Sequence, residues 1–350
     1  MAESLEIAGV SVGPDSPPFI IAEMSGNHNG DLQRALDIVT MAAKAGAHAI
    51  KLQTYTADTI TIDADTPAFR ISDDHELWQG KRLYDLYEEA HTPWEWHKPI
   101  FDRAAEEGIL AFSSPFDPTA VDFLEGLGVP AYKVASSEIV DLPLIRKMAD
   151  QGKPVIISTG MASVAEIDAA VGAVRQSGNN RIIVLSCTAD YPADPASANL
   201  RSIPVLAGAF DVLVGLSDHT MGIGVPVASV ALGAVLIEKH VTLSRGDGGV
   251  DSAFSLEPHE LEALVKETAV ARQALGSSRI GAKESEREGL RFRRSLYVTK
   301  DVKAGEVVGP ENVRSIRPAG GLAPDMMSKV TGRPFATDAV KGTALTWDIL

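Results

Sequence analysis

The chain has 350 residues, of which 45% are hydrophobic and 23% are charged, and its formal net charge at pH 7 is −15. This composition is typical of a globular protein with one large domain and room for a second. The negative charge disfavours a nucleic acid or an anionic membrane as partner, because the overall field repels both. No apolar run in the sequence approaches the ~20 residues that a membrane-spanning helix needs.

The amino terminus and the cysteine content indicate a compartment. Met1-Ala2-Glu3-Ser4 does not lead from a basic segment into an apolar one, as a secretory signal would. Cys187 is the only cysteine, so an intrachain disulfide is impossible and a reducing environment is tolerated. We therefore expect the protein to reside in the cytoplasm. Cys187 could act as a nucleophile, but a thiol at the end of a buried strand more often serves packing.

Eight short apolar runs recur along the chain, with helical patterns between them. They span residues 19–22, 49–50, 110–112, 131–132, 155–157, 182–185, 212–214 and 235–237. Continuous apolar runs suit strands buried on both faces of a parallel sheet, and eight of them alternating with helices predict an α/β fold, the (β/α)8 TIM barrel. Polar residues follow nearly every run, at the strand ends where barrels carry their active sites. The sequence therefore predicts an enzyme.

The helices of this barrel have recognisable start signals. Single N-caps are predicted at Asp31, Asp117 and Asp141, and capping boxes at Thr92 with Glu95 and at Ser163 with Glu166. The last helix of the barrel is predicted at about residues 258–275. The regular alternation of these helices with the apolar runs supports the barrel more strongly than any single motif.

Two segments lie outside this alternation. Residues 55–91 form a long, aspartate-rich insertion after the second strand, and at this face of a barrel a lid is the expected role. Beyond a charged stretch that ends at residue 294, short β-like pieces separated by turns predict a small β-rich domain. We set the barrel at residues 1–285 and the β-rich domain at 286–350. So short a domain has a small apolar core, and we expect it to pack against the barrel or against another subunit.

Three strand-end residues predict a metal site. His219 and His240 close the seventh and eighth strands, which are neighbours in a barrel, and Glu23 closes the first. Neutral imidazoles, a carboxylate and water suit a divalent metal with open coordination positions. Mn²⁺ is the expected ion, with Mg²⁺ or Co²⁺ as alternatives. His28 is a weaker candidate for a further ligand.

A second set of strand-end residues predicts an anion site. It consists of two lysines and a ring of hydroxyls: Lys51, Lys133, Ser114, Ser136, Ser158 and Ser217. Two cations with hydroxyl donors suit a small phosphorylated acid, because its charge must be neutralised and each oxygen needs a donor. The alternatives are that the lysines pair with Glu138 or Glu238, or that one of them forms a Schiff base, which a metal would make unnecessary.

Taken together, these motifs resemble the sialic acid synthases, and within that family the pseudaminic acid synthases. The similar segments are residues 21–30, 51–54, 114–116, 132–138, 158–161, 215–220 and 238–240, followed by 317–318 in a tail similar to the family's antifreeze-like (SAF) domain. The resemblance implies an enzyme that condenses phosphoenolpyruvate with a 2-acetamido sugar, giving a nine-carbon 2-keto acid and phosphate.

The resemblance also implies roles for individual residues. The metal would lie on His219 and His240. Phosphoenolpyruvate would bind Lys51, Ser114, Lys133, Ser136, Ser158 and Ser217. The sugar would bind Gln53, Glu138, Tyr191, Asp251 and Arg317. Arg317 would come from the partner subunit of a domain-swapped homodimer. Separately, we expect Glu23 to orient or deprotonate a water molecule, because a carboxylate beside a metal is held ionised by the cation.

Two departures from the sialic acid synthase pattern concern the sugar. Ala189 stands where those enzymes carry Asn, and residues 23–26 and 247–258 are similar to pseudaminic acid synthases instead. The resemblance therefore implies 2,4-diacetamido-2,4,6-trideoxy-L-altrose as the sugar. Synthesis of N-acetylneuraminic or legionaminic acid is the near alternative. A sugar-phosphate synthase of the same barrel type and a carbohydrate-binding protein without turnover are more distant ones.

Overall fold

The computed structural model describes residues 3–71 and 79–350. A short hairpin, β1 (Leu5–Ile7) with β2 (Val10–Val12), comes first. Eight strands follow: β3 (Phe19–Glu23), β4 (Ala49–Thr54), β5 (Leu110–Pro115), β6 (Tyr132–Val134), β7 (Val155–Ser158), β8 (Ile182–Cys187), β9 (Leu213–Asp218) and β10 (Leu236–His240). These eight are parallel and close into a barrel in chain order, with β10 pairing β3. The TIM barrel prediction is confirmed.

Helices connect the strands of the barrel. In chain order they are α1 (Leu32–Lys44), α2 (Ala57–Ile60), α3 (Leu83–Ala90), α4 (Trp94–Glu106), α5 (Pro118–Gly126), α6 (Leu142–Ala149), α7 (Val164–Gln176), α8 (Ser202–Phe210), α9 (Gly224–Ala231) and α10 (Pro258–Leu275). Apolar residues of strands and helices form the core, and each large aliphatic side chain that it buries contributes roughly 1.5–3 kcal/mol. No helix in the described ranges is long and apolar enough to cross a membrane.

Most of the predicted helix starts are confirmed. Asp31, Asp117 and Asp141 accept backbone N–H groups at the starts of α1, α5 and α6, and Ser163 forms a capping box with Glu166. The capping box predicted at Thr92 is wrong. The helix α4 begins after Pro93 without a side-chain cap. The Thr92 hydroxyl shares a hydrogen bond with His28 Nε2 instead, at 3.2 Å.

The insertion predicted at residues 55–91 contains α2 and α3. Residues 72–78 of it lie outside the described residues. Its role as a lid stays a prediction.

The chain divides into two compact units, Met1–Gly276 and Ser277–Leu350. The division falls earlier in the chain than the boundary that we set at residue 285, and that boundary stays a proposal. The second unit contains an antiparallel pair, β11 (Ser295–Val298) and β12 (Val313–Ile316), and the short helix α11 (Met327–Val330). It has its own core, with Leu296, Phe335 and Leu345 fully buried or nearly so.

Candidate active site

A cavity at the carboxyl ends of the barrel strands brings together most of the predicted site residues. It is lined by Glu23, Lys51, Gln53, Ser114, Lys133, Ala135, Ser136, Ser158, Cys187, Tyr191, Ser217, His219, Glu238 and His240. The register of the parallel strands explains this convergence. Glu23 at the end of β3 lies opposite His240 of β10 on one side and opposite Lys51 of β4 on the other.

Two buried lysines face two buried carboxylates in this cavity. Lys51 Nζ lies 2.5 Å from Glu23 Oε2 and 4.0 Å from Glu238 Oε2, and Lys133 Nζ lies 3.7 Å from Glu238 Oε1. The alternative that the lysines pair with Glu238 is therefore confirmed, and Glu23 is an additional partner. Two positive and two negative charges balance, so the cavity avoids the cost of an uncompensated buried charge.

The two carboxyl groups differ in their affinity for a proton. Burial raises the pKa of Glu23 above its ordinary value, and the nearby Glu238 adds to this although Lys51 opposes it. Burial also disfavours the charge of Glu238, but Lys133 and Lys51 together hold its pKa below the ordinary value. Glu23 is therefore the carboxyl group better placed to take up and release a proton.

The predicted hydroxyl ring lies among these charges. Lys51 Nζ donates to Ser114 Oγ at 3.3 Å, and Lys133 Nζ donates to Ser158 Oγ at 2.7 Å. Ser217 Oγ donates to Glu238 Oε1 at 3.1 Å. Ser136 Oγ accepts from the backbone N–H of Gly160 at 3.1 Å. The donors that an anionic ligand needs are thus already held around the cavity.

The imidazoles of His219 and His240 meet in the cavity, with ring centroids 5.3 Å apart. His219 Nδ1 lies 2.8 Å from the carbonyl oxygen of Thr188, so an Nδ1–H donates there and Nε2 keeps its lone pair. Nδ1 of His240 is buried without a hydrogen-bond partner among the described residues and lies 3.7 Å from Asp251 Oδ2. Burial and the adjacent His219 lower the pKa of His240 well below its ordinary value, so this ring is neutral. A neutral His240 with an unsatisfied nitrogen, beside a His219 whose Nδ1 is held by a backbone carbonyl, fits the ligand set of a divalent metal.

A second group of potential metal ligands lies at the start of α10. Glu257, His259 and Glu260 have ligand atoms within 4.8 Å of one another. Both carboxylates pair with Arg245, whose Nη2 lies 3.7 Å from Glu257 Oε2 and whose Nη1 contacts Glu260 Oε2. Arg245 already offsets part of the negative charge of this group, and none of the residues of the group lines the cavity.

The residues predicted to bind the sugar divide into three sets. Gln53 and Tyr191 line the cavity; Gln53 Nε2 donates to Glu23 Oε1 at 3.2 Å, and the ring of Tyr191 packs 4.3 Å from that of His219. Asp251 and Glu138 lie outside the cavity lining. Asp251 is buried next to His240 and accepts a hydrogen bond from Ser25, and Glu138 is half-buried. Arg317 is exposed on the second unit, and its role stays a prediction.

His28 and Cys187 differ in their position relative to the cavity. His28 does not line the cavity: its Nδ1 accepts from the N–H of Gly30 at 3.2 Å and its Nε2 bonds to Thr92. It is a hydrogen-bonded fixture of the loop after β3, so the suggestion that it is a further ligand is wrong. Cys187 does line the cavity, with its Sγ 3.5 Å from Ser136 Oγ.

Sequence reasoning treated Glu238 only as a partner for a lysine and missed it as a cavity residue in its own right. The sequence could have identified Glu238. Side chains two residues apart in a strand point to the same face, and His240, two residues after Glu238, was already expected to face the site. The pair of Lys239 and Asp218 was missed as well, since finding it requires the register between β9 and β10.

Comparison with known proteins agrees with this geometry. The sequence matches the NeuB family over residues 38–280 and the SAF domain over residues 293–350. It is 43% identical over 331 residues to the pseudaminic acid synthase of Campylobacter jejuni, covering 95% of this chain and 96% of that protein. It is 34% identical to the N,N'-diacetyllegionaminic acid synthase of Legionella pneumophila, covering 99% of each chain.

A solved structure is similar as well. The N-acetylneuraminic acid synthetase of Leptospira borgpetersenii superposes with a TM-score of 0.74 at 34% identity, covering 84% of this chain and 97% of that one. These relatives confirm the predicted resemblance and the C-terminal SAF domain. Because all three are named as synthases or synthetases of nonulosonic acids, the prediction of an enzyme is confirmed too.

Proposed function

Because the chain belongs to the NeuB family, we propose that it is a pseudaminic acid synthase. It condenses phosphoenolpyruvate with 2,4-diacetamido-2,4,6-trideoxy-L-altrose and water, giving pseudaminic acid and inorganic phosphate. The observation that carries this proposal is the cavity at the carboxyl ends of the strands, which brings together two lysines, two carboxyl groups and two imidazoles. The choice of sugar is supported by the 43% identity to a pseudaminic acid synthase.

The charge balance of the cavity explains how phosphoenolpyruvate binds. Lys51 and Lys133 are held by Glu23 and Glu238 in the resting protein. The anionic substrate competes for these lysines and for the hydroxyls beside them, and its charge must be compensated in turn. A divalent cation on the imidazoles would supply this compensation, and Glu23 stays ionised beside Lys51.

His219 and His240 would hold the metal, for which Mn²⁺ is the expected ion. When bound there, it supplies Lewis acidity toward the aldehyde oxygen of the open-chain sugar, worth several kcal/mol in the transition state. The Thr188 carbonyl fixes the ring of His219 in the tautomer that leaves Nε2 available.

The reaction proceeds in two stages. C3 of phosphoenolpyruvate attacks the aldehyde carbon, and the aldehyde oxygen takes up one proton from solvent and becomes a hydroxyl; the proton that Glu23 later takes from water returns to solvent and balances it. Water then adds at C2, and the resulting tetrahedral centre expels phosphate by cleavage of the C–O bond. Glu23 takes the proton from this water, since its raised pKa makes it a stronger base than an ordinary carboxylate. Lys51, at 2.5 Å, keeps it ionised until then.

The near alternative is legionaminic acid synthesis, which uses the same chemistry on a different diacetamido sugar and is supported by the relative from Legionella. A phosphorylated sugar is disfavoured. It would need further basic residues for its second phosphate, and among the described residues that line the cavity Lys51 and Lys133 are the lysines, with no arginine.

We also propose that the enzyme works in the cytoplasm as a homodimer, with Arg317 of each subunit reaching the sugar site of the other. The exposed position of Arg317 on its own unit is compatible with this role.

The deciding experiment measures phosphate release from phosphoenolpyruvate by metal-stripped protein resupplied with Mn²⁺. The diacetamido altrose sugar, N-acetylmannosamine and a legionaminic acid precursor sugar are supplied separately, and Glu23→Gln is the matched variant. We expect release with the altrose sugar and a loss of roughly 10²- to 10⁴-fold in kcat for Glu23→Gln, with Mn²⁺ binding kept. Release with another sugar alone would replace the substrate, and near-normal turnover by Glu23→Gln would remove it as the base.

A further inference from the structure

A buried ion pair lies behind the two imidazoles. Lys239 is 1% exposed and Asp218 is 4% exposed, and Lys239 Nζ lies 2.5 Å from Asp218 Oδ2. The two residues are register partners in the pairing of β10 with β9. Neither lines the cavity, because side chains alternate along a strand and the cavity receives their neighbours.

The same pair closes the turn that carries His219. Lys239 Nζ also donates to the carbonyl oxygen of Thr220. Asp218 accepts from the backbone N–H of Thr220 at 3.2 Å and from its hydroxyl at 3.0 Å. Residues 218 and 220 are thus tied together and to Lys239, and His219 and His240 are the residues next to them in the chain.

Stability alone is a poor explanation for such a pair. The free energy that two charges lose when they leave water is about as large as the free energy that they gain by attracting each other in the interior. Apolar residues of similar volume often stabilise a protein equally well. We propose that Lys239 and Asp218 are positioning residues, which hold the imidazoles of His219 and His240 at the spacing that a divalent metal requires. This inference rests on the proposed metal site at those two histidines.

An electrostatic role and a positioning role of Lys239 predict opposite changes in metal affinity when its charge is removed. A buried ammonium group near a divalent cation repels it, so its removal alone would tighten metal binding. If instead Lys239 holds the turn in place, Lys239→Met weakens metal binding, in the way that removal of groups supporting metal ligands commonly costs about 10- to 100-fold in affinity. The sign of the change therefore separates a positioning role from simple electrostatics.

The test is an electron paramagnetic resonance titration of free Mn²⁺ with metal-stripped protein, accompanied by thermal unfolding without metal. Lys239→Met should bind Mn²⁺ about 10- to 100-fold more weakly than the wild type. The double variant Asp218→Asn, Lys239→Met leaves no unpaired charge. This double variant should also bind Mn²⁺ more weakly than the wild type. If the single variant fails to fold, the double variant alone tests the proposal.

Asn179→Ala is the control for lost stability. Asn179 is buried and its Nδ2 donates to the carbonyl oxygens of Ala149 and Lys153, before the start of β8 and so at the opposite end of the barrel. This variant should unfold at a lower temperature and bind Mn²⁺ like the wild type. Wild-type or tighter affinity in both Lys239 variants, with binding lost in His240→Ala, would overturn the positioning role alone. Unchanged binding in His240→Ala would overturn the metal site itself, and the inference with it.

Discussion

Glu138 is a carboxyl group in surroundings that disfavour its charge. Its Oε2 is buried without a hydrogen-bond partner among the described residues. Burial raises the pKa of Glu138 from 4.5 to about 7, although its own backbone N–H and the charge of Lys133 oppose this. Near neutral pH this side chain therefore exists in both protonation states, and as a proposed sugar ligand it can either donate or accept a hydrogen bond.

The raised pKa makes stability depend on pH with a definite sign. The folded state keeps the proton of Glu138 up to about pH 7, whereas an unfolded chain releases it near pH 4.5. The contribution of Glu138 to the free energy of unfolding is therefore full below pH 4.5, falls as pH rises through this window and is lost above it. Glu138→Gln cannot ionise, so relative to the wild type it should gain about 1–3 kcal/mol between pH 4.5 and pH 8.

Urea unfolding of both proteins at several pH values measures this difference. Glu262→Gln, on an exposed position of α10, is the control and should show a difference that does not change with pH. A constant difference for Glu138→Gln would show that folding leaves the pKa of Glu138 unchanged, and would contradict the prediction.

At the scale of elements, the strand β9 contains a glycine that its position explains. A Cβ on Gly215 would lie 2.3 Å from the carbonyl oxygen of Leu236 in β10 and 2.7 Å from Leu185 Cδ2 in β8. Glycine in a strand interior costs stability and marks close approach of another backbone. Here it lets β9 pack tightly between its neighbours, two residues before the segment that carries Ser217, Asp218 and His219.

Gly215→Ala should therefore reduce both stability and metal binding. Adding a methyl group to a packed core costs about 1–3 kcal/mol, and the strand must shift to accept it. Thermal unfolding without metal and Mn²⁺ titration measure the two effects.

Gly172→Ala in the helix α7 is the matched control, because a Cβ there meets nothing within 4 Å. It should raise stability by up to ~1 kcal/mol and leave metal binding unchanged. Wild-type stability of Gly215→Ala would mean that the strands separate at little cost.

The elements show which features a sequence can predict. The strands were predictable because buried parallel strands need continuous apolar runs, and the cap at Ser163 was predictable because its partner Glu166 is local. The prediction of a cap at Thr92 was wrong: the hydroxyl of Thr92 is hydrogen-bonded to His28, which is remote in sequence. The same distinction holds in the site, where strand ends identified His219 and His240 but only the register between strands pairs Lys239 with Asp218.

At the scale of the whole molecule, the proposed homodimer would complete each sugar site with Arg317 from the other chain. The cavity residues all belong to the barrel unit, whereas Arg317 belongs to the second unit. That unit has its own apolar core, which contains Leu296 and Phe335. If the unit serves the neighbouring subunit, a variant defective in the barrel and a variant defective in the second unit should complement each other.

Co-expression of Glu23→Gln and Arg317→Ala chains under different tags tests this arrangement. In a mixed dimer, the barrel of the Arg317→Ala chain keeps Glu23 and receives Arg317 from the other chain, so one of the two sites is complete. Random pairing makes half of the dimers mixed, and activity should return to roughly a quarter of the wild-type value per subunit, while each variant alone stays nearly inactive. Dimers purified through both tags are all mixed, so their activity per subunit should reach about half of the wild-type value. If Arg317 serves the barrel of its own chain, or if the enzyme acts as a monomer, every site in the mixture lacks one of the two residues and phosphate release stays at the level of the single variants.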